Sequence, residues 1–306
     1  MLAQPVCKGC GRPIYGHYLT ALGATWHPEH FVCAACGRPI TAASFQMHQG
    51  APYHVECYNQ RIAPRCAYCG KPLVGEYLVD HRGTRYCKEH QGQYPTCSFC
   101  GRLVPPHDQE RGAESIRCAV CRSSAIEDAE VARPIFRSLI QWVGSQGLRY
   151  NNLPLTLELC GRAKLAQYLQ EHNQTHSLGA TMSSAYMQNG RLVRREITGV
   201  AVLIGLPETL FRGVTIHELG HVWLIVHGIV QLPTWAEEGF CELLTYRYYG
   251  SLQTAESRYH AEGIERNADP VYGEGFRRMR ALAEKMGWSR FIETLQTTKR
   301  LPAHYP

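Results

Sequence analysis

Residues 217–221 read His-Glu-Leu-Gly-His, and this stretch decides how the second half of the chain folds. In an α-helix, residues i and i+4 share a face, so His217 and His221 can hold one metal ion between them. Glu218 then lies beside that metal, where it can accept a proton from a bound water molecule. Pro207 is placed to open such a helix. The stretch therefore predicts a helix with a hydrolytic zinc site.

A third metal ligand is expected downstream, because catalytic zinc takes three protein ligands and keeps one position for water. Thr234 and Glu237 have the spacing of a capping box, which gives Glu237 a structural task and leaves Glu238 to face the metal. Glu237 stays open as the alternative ligand. Glu242 lies one turn beyond Glu238 and is placed to accept the second ring hydrogen of a ligand histidine. With Glu218 passing the proton to a leaving amine, the set predicts peptide-bond hydrolysis.

A donor to the tetrahedral oxyanion is also expected in such a site. The sequence offers several downstream candidates and does not choose among them. They are Tyr246, Tyr248, Tyr249, Tyr259, His260 and Tyr272.

The region before the H-E-x-x-H helix predicts a helix and a sheet. Apolar positions across 123–143 suit one face of an amphipathic helix, which Pro134 interrupts by a kink or a break. Residues 153–159 form an apolar run typical of a strand. Residues 181–187 and 197–204 predict a hairpin around the Asn189-Gly190 turn.

Twelve of the 14 cysteines lie between residues 7 and 121, and ten of these form C-x2-C pairs. This spacing is typical of zinc sites, whereas disulfides are the alternative in an exported chain. Four histidines at matching intervals complete four tetrahedral sets with no ligand left over. The sets are Cys7, Cys10, His27 and His30; Cys33, Cys36, His54 and Cys57; Cys66, Cys69, Cys87 and His90; and Cys97, Cys100, Cys118 and Cys121. Four protein ligands leave no open position for chemistry, so we expect these ions to hold the fold.

The formal charge of +6 gives little support to a nucleic-acid function. Residues 1–122 contain 13 Lys and Arg against 8 Asp and Glu, and twelve thiolates on four zinc ions would bring that region close to neutral. The longest apolar runs, such as 199–206, are far shorter than the ~18–20 residues that span a bilayer. The first six residues do not read as a signal peptide. We therefore expect a cytoplasmic protein that binds neither membrane nor nucleic acid.

The first two cysteine sets resemble a LIM domain, in which two zinc fingers follow each other across a two-residue junction. The stretch 26–31, Trp-His-Pro-Glu-His-Phe, is similar to the centre of that domain. In the second pair of sets, six residues separate His90 from Cys97, so this region is LIM-like.

The whole arrangement resembles the LIM-domain, ubiquitin-activated zinc peptidases first known as plant organ-size regulators. The stretches that carry the resemblance are 203–207 (LIGLP), 217–224 (HELGHVWL), 237–239 (EEG) and 269–277 (DPVYGEGFR). The resemblance implies a latent, gluzincin-like endopeptidase that cuts a few protein substrates and is switched on by ubiquitination. Plant members carry ubiquitin-interacting helices ahead of the LIM domain, and six residues precede Cys7 here. The resemblance implies two kinds of partner, protein substrates and ubiquitin or ubiquitinated proteins.

Together these observations predict an α+β chain with tandem LIM and LIM-like zinc-finger modules followed by a zincin metallopeptidase domain. The expected ranges are 1–61 for the LIM domain, 62–122 for the LIM-like domain, 123–150 for a helical linker and 151–306 for the peptidase. Four structural zinc ions and one catalytic ion are expected. The LIM modules would bind substrate or inhibit the peptidase. The alternative is a LIM adapter whose peptidase fold is inactive.

Overall fold

A computed structural model describes residues 4–110, 115–170, 177–188 and 191–302 of the chain. The chain forms two compact units, residues 1–93 and 94–306. The first three cysteine sets lie in the first unit, and the fourth set, which begins at Cys97, lies in the second. The fourth set therefore shares its compact unit with the H-E-x-x-H helix. The four domain ranges expected from the sequence stay predictions.

Three short antiparallel hairpins build the first unit. In each, a residue between the paired cysteines donates its backbone N–H to a carbonyl of the hairpin: Lys8 to Thr25, Ala34 to Pro52 and Ala67 to Arg85. The apolar core around Phe31 and Ile40 is small, so metal ligands must contribute much of the stability. The elements are β1 (Leu19–Ala21), β2 (Ala24–Trp26), β3 (Gln46–His48), β4 (Ala51–Tyr53), α1 (Val55–Arg61), β5 (Leu78–Val79) and β6 (Arg85–Tyr86).

A glycine directly follows the first C-x2-C pair of each Cys/His set and closes a tight turn. Its φ lies in the left-handed region that glycine adopts without a steric penalty. The values are +70° at Gly11, +71° at Gly37, +71° at Gly70 and +66° at Gly101. Each of these glycines donates its N–H to the carbonyl of the first cysteine of the pair. The turn therefore brings both thiols of each pair to one side of the chain.

The second unit combines a small sheet with a group of helices. Within the described ranges, no helix is long and apolar enough to cross a membrane. The elements are α2 (Ala119–Ser123), β7 (Ala125–Ile126), α3 (Ala129–Ser145), β8 (Thr156–Cys160), α4 (Arg162–Leu169), β9 (Gly179–Gln188), β10 (Arg191–Leu203), β11 (Leu206–Pro207), α5 (Glu208–Val226), α6 (Thr234–Leu252), α7 (Ala255–Arg266), α8 (Gly273–Met286) and α9 (Trp288–Thr298).

The main sheet has the strand order β8-β10-β9. Strand β10 pairs with β8 in parallel and with β9 antiparallel, so the sheet is mixed. This agrees with the predicted strand and hairpin, although β8 begins at Thr156 rather than at residue 153. The predicted turn residues Asn189 and Gly190 lie outside the described residues.

The helix predicted across 123–143 is shorter than expected at its start. Ile126, expected on its apolar face, pairs instead with Leu206 in the β7–β11 ladder. Helix α3 begins after Asp128, whose side chain accepts the N–H of Glu130 as an N-cap. It then continues through Pro134 to Ser145 as one helix. The helix is therefore not divided into two at Pro134, since packing of the buried face holds it together despite the lost donor, and the alternative of a kink stays a prediction.

Helix α5 carries the H-E-x-x-H motif through the middle of the second unit. It begins after Pro207, as predicted. Phe211, Ile216, Leu219 and Trp223 are completely buried, as expected of a helix covered on most sides. The ring of Trp223 stacks on Phe240 of α6 with 5.3 Å between centroids.

The fourth cysteine set is part of the same interior. Cys97, Cys100, Cys118 and Cys121 are each buried and share a core cluster with Leu206 and Phe211. Gly101 lies so close to α7 that a Cβ atom there would be 2.6 Å from the hydroxyl oxygen of Tyr259. This set is therefore built into the unit that contains the H-E-x-x-H helix.

Two glycines allow α6 and α8 to cross in direct backbone contact. A Cβ atom on Gly239 would lie 2.3 Å from the carbonyl carbon of Gly275, and one on Gly275 would lie 2.1 Å from the carbonyl oxygen of Trp235. The crossing fixes the position of Glu238, the neighbour of Gly239, relative to the start of α8.

Candidate active site and metal centres

The structure brings together each of the four predicted Cys/His sets, with ligand atoms within 4.8 Å of one another. At Zn–S of about 2.3 Å and Zn–N of about 2.0 Å, a tetrahedral ion separates two sulfurs by about 3.8 Å, sulfur and nitrogen by about 3.5 Å, and two nitrogens by about 3.3 Å. The distances in the structure follow this pattern. They are 3.8 Å for Cys69–Cys87, 3.7 Å for Cys100–Cys118, 3.4 to 3.9 Å for the sulfur–nitrogen pairs of the first two sets, and 3.2 Å for His27–His30. Every cysteine is a free thiol, so these clusters are suited to zinc and are not disulfides.

Three predicted ligands converge between α5 and α6. The Nε2 atom of His217 lies 3.1 Å from Oε2 of Glu238, and the Nε2 atom of His221 lies 3.4 Å from the same oxygen. Two ligands of one tetrahedral zinc are separated by about 3.3 Å. Both imidazoles and the Glu238 carboxylate are mostly buried. The donor set and its spacing therefore fit a zinc ion.

The other ring nitrogen of each histidine also has a carboxylate partner. Nδ1 of His217 lies 3.3 Å from Oε1 of Glu242, and Nδ1 of His221 lies 3.2 Å from Oε1 of Glu237. Such contacts fix the ring orientation and direct Nε2 toward a metal. The arrangement of Glu242 is the one expected from the sequence.

The role of Glu237 differs from the sequence prediction. Helix α6 has Pro233 at its N-cap with no side-chain cap, so Thr234 and Glu237 do not form a capping box. Thr234 is already the first helical residue, which leaves the Glu237 side chain to turn toward His221. The signal that the sequence did offer is a glutamate on either side of Glu238, with Glu237 beside His221 and Glu242 beside His217.

The carboxylates shift the proton affinities of this cluster. Burial opposes the charged form of His217, but contacts with Glu238 and Glu242 outweigh it and raise the pKa of His217 well above its ordinary value. Burial likewise raises the pKa of Glu238, yet the two histidines hold the pKa of this carboxyl well below its usual range. Both shifts arise from the short contacts between the buried imidazoles and their carboxylate partners.

Glu218 points into a cleft of about 980 Å³ that contains the three converging ligands. Its side chain is only 7% exposed. Thr181 on strand β9 donates its hydroxyl to Oε2 of Glu218 at 2.9 Å. The carboxylate therefore lies beside the metal-binding cluster and faces the same cavity, as a proton acceptor must.

The structure separates the candidate oxyanion donors. Four of the six candidates line the cleft, namely Tyr249, Tyr259, His260 and Tyr272. The other two lie outside its lining: the Tyr246 hydroxyl donates to Glu265, and the Tyr248 hydroxyl accepts from Arg212. The ring of Tyr272 has its centroid 6.5 Å from that of His217, and the residue is 40% exposed. Burial raises the pKa of Tyr272 to about 12, so its hydroxyl keeps its proton near neutral pH.

Cys241 lies nearer to the candidate site than the sequence indicated. Its thiol is completely buried and lies within 4.8 Å of a ring nitrogen of both His217 and His221. Gly220 leaves room for it, since a Cβ atom there would lie 2.9 Å from the Cys241 sulfur. Burial raises the pKa of this thiol, so an uncharged thiol lies next to the two imidazoles.

Two models of known protein families match this chain. A model of the LIM domain family matches residues 7–62, and a model of the DA1-like family, described as Protein DA1, matches residues 149–261. The second match contains His217, Glu218, His221 and Glu238. The chain thus joins an N-terminal LIM domain to a DA1-like domain of mixed helices and strands, with clusters suited to zinc.

Three plant proteins align with nearly the whole chain. Protein DA1 of Arabidopsis thaliana is 26% identical over 97% of this chain and 68% of its own length. Protein DA1-related 1 of the same plant is 25% identical over 97% of this chain and 66% of its own length. The LIM domain-containing protein HDR3 of Oryza sativa subsp. japonica is 26% identical over 97% of this chain and 74% of its own length. The chain is thus similar to DA1 and DA1-related proteins along nearly its whole length.

Proposed function

We propose that this chain is a zinc-dependent endopeptidase with a gluzincin-like zincin domain. The observation that carries the proposal is the convergence of Nε2 of His217, Nε2 of His221 and Oε2 of Glu238 at 3.1 and 3.4 Å, with Glu218 in the same cleft. Two histidines and a glutamate leave one position of a tetrahedral zinc for water or substrate. A site that only stabilised the fold would be closed by a fourth protein ligand.

The side chains around this position have separate tasks. Zinc, when bound there, supplies the Lewis acid that polarises a peptide carbonyl and lowers the pKa of water. Glu218 accepts the proton of the attacking water and then delivers it to the leaving amine. The Tyr272 hydroxyl donates a hydrogen bond to the oxygen on which negative charge develops. Glu242 and Glu237 hold the two imidazoles in the orientation that directs Nε2 at the metal.

The four Cys/His sets extend the proposal to four structural zinc ions beside the catalytic one. The three sets within residues 1–93 form a module that binds protein substrates or inhibits the peptidase, and ubiquitinated proteins are one partner class that the family resemblance implies. Deletion of residues 1–93 tests this role, because it leaves the Cys97 set inside its own unit. Deletion of residues 1–122 would remove buried core residues.

The experiment is cleavage of a peptide library by the zinc-loaded chain, with mass spectrometry of the products. The full chain and the 94–306 fragment are each compared with Glu218→Gln, and Glu293→Gln on the exposed side of α9 is the matched control. We expect cuts at internal bonds, a loss of about 10²-fold or more for Glu218→Gln, and no change for Glu293→Gln. Zinc content should stay the same in all proteins. Equal cleavage by Glu218→Gln, or no cleavage by either length of chain, would contradict the proposal.

A further inference from the structure

Strand β9 contacts the proposed proton acceptor from the side opposite its helix. It is an edge strand in the order β8-β10-β9, and its residues Gly179, Thr181 and Ser183 line the cleft. Residues two apart on a strand point to the same face, so these three form one row. The row faces helix α5 at Glu218.

Both oxygens of the Glu218 carboxylate are confined by this row. On one side, a Cβ atom on Gly179 would lie 2.8 Å from Oε1 of Glu218 and 2.7 Å from a methyl carbon of Val214, so only glycine permits the observed approach. On the other side, the Thr181 hydroxyl lies 2.9 Å from Oε2 of Glu218. Among the described residues, Thr181 is the hydrogen-bond donor to this carboxylate.

We propose that Thr181 is a positioning residue whose hydroxyl fixes the Glu218 carboxylate in the orientation needed for proton transfer. The proposal rests on the proposed function and names a further residue for the same site. The hydroxyl also lies 3.1 Å from the backbone carbonyl oxygen of Glu218, but its single proton can serve only one acceptor well. The contact with the charged carboxylate is shorter and of the stronger kind.

The strand provides a rigid support for this contact. Thr181 pairs with Val200 in the β9–β10 ladder, and threonine is restricted at χ1 by its branched β-carbon. A fixed donor limits rotation of the carboxylate about its last torsion, which otherwise is broad. A displacement of about 1 Å at a reacting group can cost as much as 100-fold in rate.

The first measurement is turnover of a cleaved peptide by zinc-loaded full-length variants. Thr181→Val keeps the shape and removes the donor, and Thr181→Ser keeps the donor. Thr198→Val makes the same change in strand β10, where the hydroxyl bonds to the Met182 carbonyl instead. We expect kcat to fall by about 10- to 100-fold for Thr181→Val with KM unchanged, whereas Thr181→Ser and Thr198→Val should stay within about threefold of wild type. Wild-type kcat in Thr181→Val would overturn the proposal.

The second measurement does not need a substrate. Melting temperatures are compared for Thr181→Val, Glu218→Ala and the double variant. If the hydroxyl bonds to the carboxylate, the double variant loses less than the sum of the two single losses. Additive losses would mean that the hydroxyl serves the backbone carbonyl, and would overturn the proposal. Losses that are not additive, together with no peptide cleavage, would confirm the hydrogen bond and contradict the proposed function. The expected effect of Thr181 on kcat would then fail as well.

Discussion

Loss of one ligand of the fourth cysteine set should destabilise the unit that contains the proposed active site. We consider Cys100→Ser, which removes a thiolate from a set whose four cysteines are 3% or 4% exposed. These cysteines share a core cluster with Leu206 and Phe211. The neighbouring Gly101 lies against Tyr259, a residue that lines the cleft. The effect should therefore reach both the stability of residues 94–306 and the wall of the cleft.

The size of the effect follows from the energy of structural zinc sites. Zinc binding in small fingers provides ~10–16 kcal/mol for four ligands, so one ligand is worth roughly 2.5–4 kcal/mol. For a unit the size of residues 94–306, each kcal/mol changes the melting temperature by about 2–4 °C. We therefore expect the transition of this unit to fall by about 5–16 °C in Cys100→Ser.

The assay is calorimetry of the full-length chain, combined with zinc analysis. The matched control is Cys10→Ser, the same change at the second cysteine of the first pair, where the residue is exposed and lies in the unit 1–93. Cys10→Ser should lower only the transition of its own unit. A fall of less than about 3 °C for Cys100→Ser, or an equal effect of Cys10→Ser on the unit 94–306, would refute the reasoning that the fourth set is part of its core.

Three further predictions concern the metal centre and its support. Removing the ring partner in Glu242→Ala or Glu237→Ala should weaken zinc binding by the H-E-x-x-H site about 10- to 100-fold, measured by competition with a chelator; unchanged affinity in both would show that these carboxylates do not orient the rings. Tyr272→Phe should lower kcat/KM by about 10²- to 10³-fold with zinc content unchanged, and wild-type kinetics would remove Tyr272 as the oxyanion donor. Gly239→Ala should cost about 3 kcal/mol of the free energy of unfolding in urea, since its Cβ would lie 2.3 Å from backbone of Gly275; a cost below 1 kcal/mol would mean that α6 and α8 separate easily.

Spacing along the sequence predicted the residues that local geometry places together. His217 and His221 share a face because a helix repeats every 3.6 residues, and the C-x2-C pairs meet because a tight turn closes on the following glycine. Glu238 was expected to face the metal because a capping box would occupy Glu237; the structure lacks that box and still brings Glu238 to both histidines. The hairpin of β9 and β10 followed from alternation and a turn signal.

Contacts between elements distant in sequence could not be predicted in this way. The contact of Thr181 with Glu218 and the position of Cys241 depend on how strand and helices pack, which no local pattern specifies. The assignment of Glu237 failed because a capping rule was applied one residue away from the actual start of α6. The fourth cysteine set repeats the spacing of the others, yet its burial against Phe211 depends on tertiary packing.

The central claim is that the H-E-x-x-H helix holds a zinc ion of its own, separate from the Cys/His sets. The most direct test is elemental analysis of zinc per chain, on the intact protein and on a folded variant with both His217→Ala and His221→Ala. We expect about five zinc ions in the intact chain and about four in the variant. About four ions in both proteins, with no fifth ion after added zinc, would contradict it.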